Sequence, residues 1–562
     1  MNNHLVVLPF LFSAGAAMAQ VTPDAGALQQ QIDKSRPSAL PKAAPRELGA
    51  APAPLERIAG PSVTVSAFRF TGNSIIKDAQ LAARLQPYLN RPLDFNELQA
   101  AAQVVSAVYR EAGWISRAYL PRQEIDGGVV TIHVVEALFG GVRVDGANGP
   151  EVRIDPRQAV RIVERAQAVG RLLNADALDR AILLVDDLPG VGATGNLAAG
   201  ERDSETALAL RLTAEPLLSG DAAIDNTGSR STGAARAGLN LYLNSPLRLG
   251  DAGALNLIHS DGSDYLRAAY SLPLGDAGWR AGVNASTLRY RLVADDFAAL
   301  HARGSADSAG LETSYPLLRS RLSNLFVQLN ADSKRYDNQA NGAVSSHYRL
   351  DSLAVGLSGN RYDEFGGGGA TSANLGLVQG DVKLDGSPNQ AADAASTRSG
   401  GSFTKLRYGL SRQQALSETF SLAASLAGQY ASKNLDSSEK FYLGGLYGVR
   451  AYPASEAGGS NGQLVNLELR ARLPHGVGLI GFYDWGHVTV NRDNDFAGAA
   501  QVNGYALKGA GLGLNWTAPW KVNLKAVWAR RIGSNPSPNL NGSDQDGSLR
   551  KNRFWLQATL SF

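Results

Sequence analysis

Asp484 is the residue whose position most needs a chemical partner. It stands in Ile480-x-Phe482-x-Asp484-x-Gly486, and strict alternation puts these four on one face of a strand, with Tyr483 and Trp485 on the other. The Tyr/Trp face suits an apolar surrounding, so the carboxylate points to the enclosed side, where an unpaired charge is costly. Arg450 lies in the long glycine-rich loop 441–453 upstream and carries the planar fork that grips a carboxylate through two hydrogen bonds. The chemistry this spacing predicts is a buried charge pair that holds a loop, not a reaction.

Catalytic readings fare worse. Gly458-Gly459-Ser460-Asn461-Gly462 matches G-x-S-x-G, but it leads from a loop into a strand rather than forming the strand-turn-helix elbow that exposes a nucleophile. The glycine run at 366–369 lacks the Lys-Ser/Thr of a phosphate loop. There is no cysteine, which removes thiolate chemistry and Cys-based metal sites. The seven histidines include no pair at metal-binding spacing. A net charge of +3 gives no basic field for nucleic acid. The sequence therefore assigns no catalytic, cofactor-binding or metal residue and predicts that the protein is not an enzyme.

The elements that must position the pair are strands. From 217 to 562 the hydrophobic period is two: Leu239, Leu241 and Leu243 alternate with Asn240, Tyr242 and Asn244, and Leu467 and Leu469 with Asn466, Glu468 and Arg470. About sixteen candidate strands fit these residues, separated by Gly/Asp/Asn/Ser-rich connections such as 332–346 and 384–402. No apolar run approaches the ~18–20 residues of a membrane helix, so an integral membrane form must be a closed barrel. The chain ends with Phe554, Leu556, Ala558, Leu560 and Phe562 on one face. A last strand ending in Phe562 is similar to the signal read by outer-membrane barrel assembly machinery.

Upstream, residues 1–19 read as a signal peptide ending in Ala17-Met18-Ala19. Residues 20–35 hold a short helix with Asp24 as its cap. Residues 36–61 contain six prolines and predict an extended linker. Residues 62–136 and 137–216 each read as β-α-α-β-β. In the first, Asp94 and Glu97 form a capping box; in the second, Asn174 caps a helix. A three-stranded sheet with helices on one face leaves an edge open to an added strand.

Val449-Arg450-Ala451-Tyr452 resembles the V-R-G-Y loop motif of the POTRA-plus-barrel insertases and translocases, and Phe482-x-Asp484-x-Gly486 resembles their F-x-D-x-G strand motif. The stretch 225–233, Asp-Asn-Thr-Gly-Ser-Arg-Ser-Thr-Gly, looks like the two-partner secretion branch, the haemolysin and filamentous-haemagglutinin transporters called TpsB. The order of parts agrees along essentially the whole mature chain. Ala451 departs from the usual glycine.

The resemblance implies a mainly-β fold: a sixteen-stranded transmembrane barrel at 217–562, two periplasmic POTRA domains and the N-terminal helix as a plug in the lumen. It implies a monomer in the bacterial outer membrane that binds an unfolded, TpsA-like β-helical exoprotein through its POTRA domains. That partner is exported without nucleotide hydrolysis. Two alternatives remain at this point: an assembly factor that inserts other barrels, and a passive porin.

Overall fold

The computed structural model describes residues 23–35, 62–145, 152–202, 204–539 and 541–562. The expected signal peptide, 1–19, and proline linker, 36–61, lie outside the described residues. Among the described residues no helix is long and apolar enough to cross a membrane.

Sixteen antiparallel strands close into a barrel, from Leu218–Asp225, the first, to Asn552–Ser561, the last, which pair with each other. Closure removes every edge, which is what lipid requires of a spanning sheet. Period-two faces explain the wall. On Ser323–Ala340, Leu325 and Leu329 point outward and are exposed, while Asn324 and Tyr336 point inward and are buried. Leu353, Leu377, Leu410, Leu469 and Leu512 continue the outward apolar face around the barrel.

Several strands are longer than crossing requires. Ala343–Asp363 has 21 residues, about twice the ~9–11 that span a bilayer. The expected connection 332–346 is here replaced by strand. Ser323–Ala340 and Ala343–Asp363 form one continuous hairpin that turns at Asn341 and Gly342, with φ of 51° and 79°. Positive φ at both positions matches the right-handed twist of the strands, and Asn-Gly is the pair that adopts it most readily.

The two N-terminal repeats share one sheet plan. In the first, Ala67–Thr71 runs parallel to the central Val129–Glu136, and Ser116–Tyr119 flanks it antiparallel. In the second, Leu138–Asp145, Glu205–Ala214 and Val191–Ala199 take the same places. The strand expected across 63–70 is broken: Val63–Thr64 pairs separately with Pro92–Leu93. Asp94 and Glu97 make both capping-box bonds, and Asn174 accepts from Ala177 N. Helices Phe95–Glu111 and Ala175–Asp186 bury Leu98, Val105 and Tyr109, and Leu178, Ile182 and Val185, on their sheets.

The second repeat is fastened to the short-turn end of the barrel. Arg319 forks onto Asp187 with two contacts of 2.8 Å, and Arg321 onto Asp179 with two of 3.1 Å. Arg319 is buried, so removing its partner leaves a charge with little water to solvate it. Asp187→Ala is expected to loosen the repeat by a few kcal/mol, about 3 at most given that Asp187 is partly solvated. Spin-label distances between helix Ala175–Asp186 and the barrel turn at Ser320 should broaden; a distribution as narrow as wild type would contradict the bracing role.

The lumen is not uniformly wet. Helix Ala25–Ser35 lies inside the barrel, and its Ala25, Leu28 and Ile32 join Tyr265, Leu288, Tyr290, Tyr336, Tyr348, Leu350 and Phe403 in one buried apolar cluster. Around the helix the inner face of the barrel is apolar.

Candidate functional site

The connection between the eleventh strand, Phe420–Ala431, and the twelfth, Asn461–Arg472, folds into the lumen. Its first limb is pinned by Glu439, which receives Lys405 Nζ at 2.6 Å and Lys334 Nζ at 3.1 Å. Burial opposes the charge of Glu439, yet these two lysines hold its carboxyl down to about 2. The second limb carries Val449, Arg450, Ala451 and Tyr452, all buried.

Arg450 reaches the thirteenth strand, Val477–Thr489. Its Nη2 donates to Asp484 Oδ1 at 2.7 Å and its Nε to Asp484 Oδ2 at 2.9 Å, a bidentate pair. The backbone N–H of Arg450 also donates to Asp484 Oδ2, at 3.0 Å. Asp484 is fully buried and Arg450 is 5% exposed. The guanidinium sits over the Phe482 ring, 3.6 Å from its centroid, a cation–π contact strengthened by exclusion of water. Burial disfavours the Arg450 charge, but the hydrogen bond and charge of Asp484, with Glu468 behind, outweigh it and raise its pKa.

Sequence reasoning missed three members of this site. Glu468 Oε1 accepts from Arg450 Nη1 at 2.7 Å. Asn466 Nδ2 donates to Asp484 Oδ1 at 2.7 Å and to Gly448 O at 3.1 Å. Trp555, on the last strand, donates Nε1–H to Arg450 O at 2.8 Å. Period two could have found the first two, since it places Asn466 and Glu468 on one face of the strand preceding Asp484. Trp555 arrives only through barrel closure.

The remaining predicted residues divide by role. Val449, Ala451 and Tyr452 pack with Leu443, Leu464, Phe482, Leu507 and Trp555. Arg531 lies 4.3 Å from the centroid of the Tyr452 ring. Gly486 leaves room for the loop: a Cβ there would come within 2.7 Å of Leu443 Cδ2. Ala451 is not among the residues at positive φ, so the chain geometry here does not require the usual glycine. Phe562, at the opposite end of the barrel, exchanges two backbone hydrogen bonds with Gly220, at 3.0 and 3.1 Å. Ser460 is buried, donates to Val490 O at 3.2 Å and accepts from Leu435 N, and so fastens the loop. No group of three metal-ligating His, Cys, Asp or Glu occurs among the described residues. The arrangement can hold a loop across the pore by a desolvated ion pair and can release it only by breaking that pair.

Comparisons with known proteins agree on one lineage. The chain is 26% identical over 576 residues to the heme/hemopexin transporter protein HuxB of Haemophilus influenzae strain 86-028NP, covering 99% of this chain and 98% of that protein. It is 24% identical over 493 residues to the outer membrane transporter CdiB of Dickeya dadantii strain 3937, covering 83% of this chain and 84% of the other. The solved structure of CdiB from Escherichia coli superposes with a TM-score of 0.72 at 21% identity, over 97% of this chain and 100% of that one. Residues 63–137 match the POTRA domain, ShlB-type. Residues 204–516, more than half of the chain, match the haemolysin secretion/activation proteins ShlB/FhaC/HecB, and the chain belongs to that family.

Proposed function

We propose that this chain is an outer-membrane pore that exports one large exoprotein from the periplasm to the cell surface or medium. The family is one of outer-membrane transporters with POTRA domains and a barrel. The observation that carries the finer reading is the lumen itself, blocked by two removable elements, the helix 25–35 and the loop bearing Arg450. A passive porin has no use for a desolvated ion pair holding a loop across its bore. We read residues 62–136 and 137–216 as POTRA domains that receive the partner unfolded, 217–562 as the pore and 20–35 as the plug. The partner is then a TpsA-like, β-helical exoprotein. We read no catalytic role; its folding outside, worth ~5–15 kcal/mol for a cooperative domain, opposes return without nucleotide. The chain itself acts as a monomer inserted by the barrel assembly machinery, with Phe562 as the signal residue.

The test is removal of the chain and of its first repeat separately. Loss of the whole chain, and loss of residues 62–136 alone, should each strand the partner in the periplasm and leave other barrel proteins at normal abundance. A general fall in barrel proteins would favour an assembly factor instead.

Plugging should respond to acid. Asp24 Oδ1 accepts from Ala27 N at 2.8 Å and Oδ2 from Ser437 Oγ at 2.7 Å. Burial, then the nearby Asp436, push its carboxyl up to about 6, with Lys440 opposing. The docked helix thus holds a proton more tightly than a free one, so docking is favoured below about 6 and weakens as pH rises through that value. Between pH 7.5 and 5 the docked-to-free ratio should rise about tenfold at most. Open-channel events should become correspondingly rarer in planar bilayers at pH 5, and Asp24→Asn should flatten the response. Equal opening at both values would contradict it.

A further inference from the structure

The Asp225–Gly233 segment, singled out by its sequence, does nothing in the loop-to-strand pair, yet it lies at the barrel's weakest joint. The first and last strands pair over a short stretch, Asp221–Asp225 with Gln557–Ser561, extended by Gly220 with Phe562. The last strand pairs with its other neighbour through nine residues, Asn552–Leu560. The ladder frays at Leu556, and the segment Asn552–Trp555 has no backbone partner on the side of the first strand. One residue spans that gap. Asn226 Nδ2 donates to Phe554 O at 3.0 Å, Asn226 Oδ1 accepts from Leu556 N at 2.8 Å, and Asn226 N donates to Leu556 O at 3.2 Å. The backbone of Asn226 continues the ladder by one bond, and its side-chain amide, with a donor and an acceptor, makes the next two that a longer first strand would have made.

The three residues so clasped have a second duty. Phe554 and Leu556 face outward and are exposed; Trp555, between them, faces inward and is buried. Its indole N–H is the donor to Arg450 O. Burial of that indole without its partner would cost a hydrogen bond in a dry site. The position of Trp555, and with it one anchor of the Arg450 loop, therefore depends on what holds Phe554 to Leu556. Asp225 steadies the clasp from behind: it takes Arg236 at 3.0 Å and Thr227 Oγ1 at 2.6 Å, fixing the turn from which Asn226 projects.

We propose that Asn226 is a positioning residue that couples the barrel seam to the lumen loop: it clasps Phe554–Leu556, and through Trp555 it holds Arg450 in its seat. Loosening the seam and freeing the loop are then one event. The consequence for export rests on the transport reading above, but the coupling does not, and its test reads no export.

The chain has no cysteine, so a single engineered thiol is clean. Ala451, next to Arg450, is fully buried when the loop is seated, so Ala451→Cys reports an unseated loop by its rate of labelling with a maleimide. Purified full-length protein in detergent is labelled, and amide exchange is followed by mass spectrometry on peptides spanning 554–558. In that single-cysteine background, Asn226→Ala is expected to speed labelling at position 451 at least fivefold and to speed exchange in 554–558. Trp555→Phe, which keeps the clasp but loses the N–H, should speed labelling while leaving that exchange unchanged. Asn226→Asp keeps the acceptor and should fall between. Asn240→Ala removes an amide of the neighbouring strand that bonds Asp221 rather than the last strand, and should change neither. If Asn226→Ala speeds exchange yet labelling stays at the background rate, the coupling is wrong. If neither changes, Asn226 is not the clasp. If Asn226→Ala fails to assemble, Trp555→Phe decides: unaltered labelling overturns the proposal.

Discussion

Replacing Arg450 with alanine will abolish export of the partner while much of the barrel still reaches the outer membrane. Asp484 is fully buried and takes three of its hydrogen bonds from Arg450 alone. The backbone N–H survives the substitution; the two guanidinium bonds do not. Removing one member of a buried pair costs ~3–5 kcal/mol, because the remaining carboxylate is left in a dry site. That corresponds to a shift of about 100-fold or more in the loop's preference for its seat. Glu468 loses its partner in the same stroke but keeps Arg470, 2.8 Å away. The sixteen strand ladders do not involve the Arg450 side chain, so assembly should be spared in part. Arg450→Lys should not rescue, since a point charge cannot make the bidentate contact to Asp484 and reach Glu468 as well. The measurement is partner in the medium, normalised to barrel in the outer-membrane fraction. Wild-type export by Arg450→Ala would refute the role given to the pair.

Deleting residues 20–35 will raise ion conductance several-fold without stopping export. The helix is docked by a handful of polar contacts: Ala25 N to Asn338 Oδ1 at 2.9 Å, Lys34 Nζ to Tyr442 O at 2.8 Å, Gln30 Nε2 to Ser438 O, and the Asp24–Ser437 bond. Apolar packing of Ala25, Leu28 and Ile32 adds to these. Burying three such side chains stabilises by only a few kcal/mol, at ~25 cal/mol per Å2, which a translocating chain can offset. Gly26→Val makes the same prediction with one substitution, because a Cβ at 26 would approach Ser438 Cβ to 2.8 Å. Bilayer recordings decide it. Conductance equal to wild type in both variants would mean that the helix does not block the pore.

These effects also show what a sequence can carry. Asp484 and Arg450 can be matched because alternation fixes which way the carboxylate points and because a buried carboxylate demands a cation. Asn466 and Glu468 are within reach by counting back from the turn Pro474–Gly476, which sets the register Asn466↔Asp484 and Glu468↔Phe482. Trp555 is out of reach, since the contact exists only when the loop bearing Arg450 meets the last strand, 105 residues further along the chain, inside the barrel. Composition misreads the connection 332–346. Its Asp, Asn and Ser residues belong to a hairpin of two strands longer than a bilayer crossing needs, and the Asn341-Gly342 turn is the better guide. The apolar inner cluster is hidden for a related reason: Tyr265, Tyr290, Tyr336 and Tyr348 read equally well as girdle residues facing lipid, and only strand pairing turns them inward onto the helix.

The claim beneath all of this is that the exported chain passes through the bore of the barrel. Gln328 and Leu329 are neighbours on the seventh strand, the first facing the lumen and the second facing outward. A photo-crosslinking residue placed at each position in turn, with the partner stalled in transit by a folded C-terminal fusion, reads the path directly. Passage through the bore predicts partner adducts at 328 and none above background at 329. Adducts at 329 as strong as at 328, or none at 328 while export proceeds, would contradict it.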